Sequence, residues 1–264
     1  MLQWKNKGDK SMFGIYDIYR NSDLDYKTRI DIYKQAGFQE LAIFIDNSYY
    51  PPHENYLDII TYARSIGLQV NQAHIDYKIA NLICDNSTDV FFDYVSSKLQ
   101  EAIDLKIPYV VTHVSNSDTP PQIDDVQLTK FKNIMAKFEN ENVTLCVENM
   151  RNNFNMDRIL ELQLPNIKVC FDLGHAHCYG GEYKLYEKYK DLIVCTHLHN
   201  NYGTDTHYML SDGEIDYKYF VKALSQNDYV SNCLENFPRE EKLSHAEFVK
   251  YVEDCYTSIM ASLN

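Results

Sequence analysis

Eight short runs of β-favouring residues recur along this chain, and every interval between them is long enough to hold a helix. The runs are FGIYD (13–17), LAIFID (41–46), LQVNQAH (68–74), YVVTHV (109–114), VTLCVEN (143–149), IKVCFD (167–172), LIVCTH (192–197) and YVSNCLE (229–235). Most are near-continuous apolar stretches rather than strict alternations, the pattern of parallel strands covered by helices. Helical periodicity fills the intervals. Residues 89–105 set Val90, Tyr94, Leu99 and Ile103 on one side, and residues 126–138 do the same with Leu128, Phe131, Ile134, Met135 and Phe138. A last helix is expected over 244–260, where Ser244 and Glu247 are spaced as a capping box. Such repetition builds a parallel barrel or an open doubly wound sheet. No glycine-rich phosphate loop follows the first run, which disfavours the nucleotide-binding open sheet. The expected fold is therefore an α/β, (β/α)8 barrel forming a single domain over 1–264, with 1–11 as a polar N-terminal extension. The length of 264 residues agrees, since such barrels run to about 250.

Composition narrows the partners. Lys and Arg number 25 against 38 Asp and Glu, a formal net charge of −13. A duplex binder displaces counterions with a positive surface, so nucleic acid is disfavoured as a partner. The first residues carry no apolar signal core, and no stretch reaches the ~18 apolar residues of a membrane span. Seven cysteines form no CxxC pair, and Cys146, Cys170, Cys195 and Cys233 lie inside strand-like runs. An odd count of core-type thiols fits a reducing, cytoplasmic setting. Association of identical copies is left open.

Chemistry in a barrel of this kind sits at the carboxyl ends of the strands. Six consecutive runs end on or beside a metal-ligating type: His74, His113, Glu148, Asp172, His197 and Glu235. Their spacings of 39, 35, 24, 25 and 38 residues each match about one strand–helix unit. A lone strand-end carboxylate ordinarily caps the next helix or pairs with a base, and that is the expectation for Asp17, Asp46 and Asp76. Six convergent polar groups on one rim are different, because they repel and desolvate one another unless a cation holds them. Two clusters add to the ring. Asp172 and His175 are three apart at a strand-to-loop turn, and Asp205 and His207 point one way if their segment is extended. Mixed carboxylate and imidazole donors suit zinc, manganese or cobalt better than magnesium.

These residues, in this order, resemble the xylose isomerase-like TIM barrel superfamily, over nearly the whole chain. The specific segments are VEN (147–149), FDLGH (171–175), THLHN (196–200), DTH (205–207) and LEN (234–236). The superfamily contains sugar and sugar-phosphate isomerases and epimerases, inosose dehydratases and endonuclease IV-type apurinic-site endonucleases. The resemblance to the isomerases implies one divalent cation on Glu148, Asp172, His197 and Glu235. The resemblance to the endonucleases implies three zinc ions: one on His74, His113 and Glu148, a second on Glu148, Asp172, His197 and Glu235, and a third on His175, Asp205 and His207. Asn200 stands where the family pattern more often has Asp, behind the metal-binding imidazole.

The expected activity is a metal-dependent isomerase or epimerase reaction on a sugar, polyol or sugar phosphate, with zinc as the cofactor and manganese or cobalt as alternatives. Glu148 and Glu235 are the expected proton carriers and His175 a donor to a substrate oxygen. Arg151, Arg239 and His199 are the substrate-binding candidates, with salt bridging as the competing role for the two arginines. His53, His177 and His245, like His199, can also be surface or supporting residues. Tyr49 and Tyr50, before Pro51 and Pro52, offer aromatic faces to a sugar, although core packing accounts for most tyrosines. The alternative is an endonuclease-type phosphodiesterase acting on abasic DNA.

Overall fold

Parallel pairing carries the chain in sequence order from β1 (Phe13–Tyr16) through β2 (Glu40–Phe44), β3 (Gln72–His74), β4 (Tyr109–Thr112), β5 (Thr144–Glu148), β6 (Ile167–Asp172) and β7 (Ile193–Leu198) to β8 (Ser231–Leu234). β8 returns to β1, so the sheet closes into the expected (β/α)8 barrel. The computed structural model describes residues 12–227 and 230–263. The proposed extension over 1–11, and Tyr229 at the start of the eighth run, lie outside the described residues.

The helices are α1 (Tyr26–Ala36), α2 (Tyr56–Ser65), α3 (Val90–Asp104), α4 (Asp125–Ala136), α5 (Phe154–Leu160), α6 (Leu173–Tyr179), α7 (Glu182–Tyr189), α8 (Tyr217–Ser225) and α9 (His245–Leu263). Ser244 closes the expected capping box before α9: its N–H donates to Glu247 Oε2 at 2.8 Å, and Glu247 N–H donates back to Ser244 Oγ. Several strands are shorter than their apolar runs, β2 and β3 for visible reasons. β2 ends at Phe44, where the Tyr50 hydroxyl bonds both the Phe44 N–H at 2.9 Å and its carbonyl at 3.1 Å. The third run keeps only 72–74 as strand, with Gln69 left as an isolated bridge to Glu40.

By packing, the chain divides into two compact units, Met1–Asn71 with Thr196–Asn264, and Gln72–Cys195. In the first, β1 lies between β2 and β8, with Gly14 level with Glu40 and Cys233. A Cβ on Gly14 would fall 2.6 Å from Cys233 Sγ and 2.9 Å from Glu40 Cβ, so the close approach of these strands needs glycine there. In the second unit, Val111, Cys146, Cys170 and Cys195 form one buried apolar cluster. Burial pushes the Cys170 thiol well above its ordinary value. Register puts Glu148 level with Cys170. Side chains two apart share a face, so the face that buries Cys146 and Cys170 carries Glu148 and Asp172 at its carboxyl end.

Candidate metal centre

The strand ends deliver the predicted donors. His74, Glu148 and Asp172 are the last residues of β3, β5 and β6; His197 is the penultimate residue of β7, and His113 and Glu235 lie just past β4 and β8. Asp17, Asp46 and Asp76 take the structural roles expected of them. Asp17 pairs with Arg29, while Asp46 and Asp76 cap short 3-10 helices through Ser48 N–H and Lys78 N–H.

In the unit holding β3 to β6, Glu148 is the hub. Its Oε2 lies 3.2 Å from His74 Nε2 and 3.0 Å from His113 Nε2, and the two ring nitrogens are 3.2 Å apart. The three donor atoms fall within 4.8 Å of one another in a buried setting. His74 Nδ1 sits 2.6 Å from the Ile75 carbonyl. A carbonyl only accepts, so Nδ1 carries a proton and Nε2 is the atom aimed at Glu148 and His113. Burial lowers the His113 pKa, opposed by the Glu148 carboxylate. Donors on a tetrahedral zinc at about 2.0–2.1 Å stand roughly 3.3 Å apart, close to this triangle. The donor chemistry therefore fits a divalent cation.

Asp172 departs from the expected strand-to-loop turn, because α6 begins directly after it. Its Oδ1 accepts from His175 N–H at 2.6 Å and so caps that helix. The His175 ring returns toward Glu148, with Nδ1 at 3.2 Å from both Glu148 Oε1 and the Asn149 carbonyl. That commits the Nδ1 proton and leaves Nε2 as the ring atom open to a ligand or a substrate.

In the other unit, His197 uses its nitrogens the opposite way round. Its Nε2 is 3.0 Å from the Tyr16 hydroxyl and its Nδ1 is 3.0 Å from Glu235 Oε2. His207 Nδ1 donates to the Glu235 carbonyl at 2.8 Å, which turns Nε2 to Asp205 Oδ1 at 3.1 Å. The 205–207 segment is not extended, as the sequence suggested. His207 sits at φ +51, in the left-handed region, and is held by the paired Asn200–Tyr208 bonds and by Phe237 N–H on its carbonyl. His199 is fully buried and stacks on the His207 ring at 3.8 Å, which rules out a surface role.

The two arginines expected to bind substrate face carboxylates. Arg239 makes a two-bond pair with Asp212, and Arg151 lies 3.7 Å from Asp118. Tyr49 stacks on Phe44 at 4.2 Å and Tyr50 bonds the β2 backbone, so both serve packing. His53 is exposed, His177 pairs with Glu182 at 3.1 Å, and His245 opens α9.

Sequence reasoning missed two supporting residues. Tyr16 fixes the His197 ring, a task the family pattern suggested for the Asn200 position. Asn200 instead staples its own loop to Leu210 and Ile215. Asn149 clamps β5 to β6 by donating to the Asp172 carbonyl and accepting from Asp172 N–H, both at 2.8 Å. A signal was present, because Glu-Asn recurs at 148–149 and 235–236. Asn236 ties the end of β8 to α9 through the Tyr251 hydroxyl and Cys255.

Solved structures share this fold over their whole length. The 3-keto-D-glucoside 4-epimerase YcjR from E. coli matches with TM-score 0.71 and 14% identity, covering 96% of this chain and 100% of that one. A D-psicose 3-epimerase from Clostridium cellulolyticum H10 matches at 0.68 and 14%, covering 96% and 98%. A family 2 AP endonuclease from Brucella melitensis matches at 0.67 and 17%, covering 91% and 98%. At such identities the likeness is one of fold. The chain spans 49% and 40% of the length of two curated, uncharacterised relatives, from Sinorhizobium fredii and Methanocaldococcus jannaschii, at 26% and 31% identity. The sequence pattern of the xylose isomerase-like TIM barrel family matches residues 30–251, and the chain belongs to that family.

Proposed function

We propose that this chain is a divalent-metal-dependent isomerase or epimerase acting on a sugar, polyol or sugar phosphate. Glu148, Asp172, His197 and Glu235 hold one cation, zinc by donor chemistry, with manganese or cobalt as alternatives. The observation that carries this reading is that successive strands end on or beside ligand types: Glu148 and Asp172 close β5 and β6, and His197 Nδ1 stands 3.0 Å from Glu235 Oε2 at the ends of β7 and β8. Bound there, the cation supplies Lewis acidity to a substrate carbonyl and its neighbouring hydroxyl, which acidifies the adjacent C–H. Glu235 keeps 9% of its surface exposed against 1% for Glu148, so Glu235 is the carboxylate that a substrate C–H reaches first. Its side chain takes the proton, and Glu148 is the second carboxylate able to hand one back. Tyr16 holds the His197 ring in place through both steps.

The epimerase names of the similar structures agree with this chemistry. So does the charge of −13, with Arg151 and Arg239 already facing carboxylates. The core placement of Cys146, Cys170, Cys195 and Cys233 supports a cytoplasmic setting, and no helix among the described residues is long and apolar enough to cross a membrane. The surplus donors His74, His113, His175, Asp205 and His207 favour a second reading, phosphodiester hydrolysis with several zinc ions, as in the endonuclease relatives.

Exchange in deuterated water separates the two. The isomerase reading expects label at the carbon next to the carbonyl of a ketose or ketose phosphate. That exchange should stop with a chelator and fall about 10²–10⁴-fold in Glu235→Gln. Cleavage of an abasic duplex, with no exchange into any sugar tested, would overturn the reading in favour of the hydrolase.

A further inference from the structure

Asp212, in the loop between β7 and α8, binds two side chains at the protein surface. Arg239 donates from Nε and Nη2 to its two oxygens at 2.7 and 2.6 Å, and the Tyr202 hydroxyl donates to Oδ1 at 3.1 Å. The guanidinium lies over the Tyr208 ring, with Cζ 4.1 Å from its centroid, and the Tyr202 and Tyr208 rings meet at 6.4 Å and 62°. Tyr202 nevertheless stays 57% exposed. An aromatic ring is thus held still with most of its surface in water.

Folding does not account for the arrangement. A surface ion pair adds little stability, and this loop is fastened elsewhere. Asn200 donates to the Leu210 carbonyl at 2.7 Å and accepts from Ile215 N–H at 3.0 Å, while its backbone pairs with Tyr208 in both directions at 2.9 Å. Gly213 keeps room for that staple, since a Cβ there would fall 2.2 Å from Asn200 Oδ1. The cluster also begins where the proposed metal centre ends. Tyr208 directly follows His207, whose ring is pinned to the Glu235 carbonyl.

We propose that Tyr202 and Tyr208, with Arg239 and Asp212 at their edge, form an outer sugar subsite that takes a second pyranose ring. The substrate is then a glycoside or disaccharide rather than a free monosaccharide. A pyranose has an apolar C–H face, which lies on an aromatic ring, and a rim of hydroxyls that require donors and acceptors. The tyrosine faces supply the first and the Asp212–Arg239 pair the second. The pair is neutral as a unit, which matches an uncharged ring. Arg239 accordingly acts as the backing of an aromatic platform instead of a phosphate clamp.

The inference rests on the sugar reading above, and the test separates the two. Zinc-loaded protein is titrated with glucose and with maltose, followed by saturation-transfer NMR. Maltose is expected to bind about three- to tenfold more tightly than glucose, the scale of one added aromatic contact. Tyr202→Ala and Tyr208→Leu should each bring maltose down to the glucose value. Tyr202→Phe, which keeps the ring and loses only the hydroxyl, should retain most of the advantage. Equal affinities in the wild type, or an advantage that survives both ring deletions, would overturn the subsite while leaving the sugar reading intact. Binding of an abasic duplex with neither sugar bound would overturn both.

Discussion

Two buried charged clusters in this barrel solve opposite problems. Around Arg29, every hydrogen bond is closed inside the protein. The guanidinium donates to Asp17 at 2.8 and 2.8 Å, to Glu54 at 3.0 and 2.6 Å, and to the Leu24 carbonyl at 2.6 Å, while Tyr33 adds its hydroxyl to Asp17 at 3.0 Å. Burial pulls the guanidinium pKa down, but Asp17 and Glu54 outweigh it and hold the pKa above its ordinary value. Around Glu148 imidazoles converge on one carboxylate. Two imidazole nitrogens and a carboxylate oxygen crowd within 3.2 Å, and backbone carbonyls hold the Nδ1 protons of His74 and His175. The first cluster is complete and serves the fold. The second gathers ligand-type atoms at strand ends, and a cation is the natural occupant of such a place.

This contrast predicts different responses to mutation and to metal. Arg29→Leu strands two buried carboxylates and should cost about 3–5 kcal/mol in a urea titration, with or without zinc. Replacing Asp17, Arg29 and Glu54 together by apolar residues of similar volume should recover most of the loss. Zinc at about 100 times its Kd should raise the unfolding free energy by about 2.7 kcal/mol, and a chelator should remove the gain. A wild-type melting curve indifferent to both would place the crowded cluster with the closed one. Tyr16→Phe should weaken zinc affinity about 10–100-fold in a competition titration, because the His197 ring loses its partner. Unchanged affinity would make Tyr16 a core residue only. The smallest effect is expected for His74→Leu without metal, within about 1 kcal/mol of wild type or more stable, since crowding at a functional site is relieved. A loss as large as that of Arg29→Leu would erase the distinction between the clusters.

The sequence exposed one cluster far better than the other. Histidine and carboxylates are unusual at the end of an apolar run, and one per strand–helix unit gave the ring of six its visibility. The strand order followed for the same reason, since near-continuous apolar runs leave parallel strands as the economical solution. The Arg29 cluster was half legible: Asp17 reads as a paired carboxylate, but nothing marks Glu54 as its companion across the next loop. Tyr16 was hidden more deeply. Inside FGIYD it reads as one more apolar strand residue, and its partner lies 181 positions away. His207 was misjudged in conformation because a left-handed histidine is created by its surroundings, here the Asn200 staple and the Phe237 bond, and leaves no local pattern.

The central claim is that the rim donors form a metal centre built on Glu148. Crystals of the zinc-loaded protein, measured on both sides of the zinc absorption edge, test it directly. The expected result is an anomalous peak with Glu148, Asp172, His197 and Glu235 at about 2.0–2.2 Å, the usual zinc distances to nitrogen and oxygen. A well-diffracting crystal with no peak at these four residues, or with zinc only at the protein surface, would contradict it.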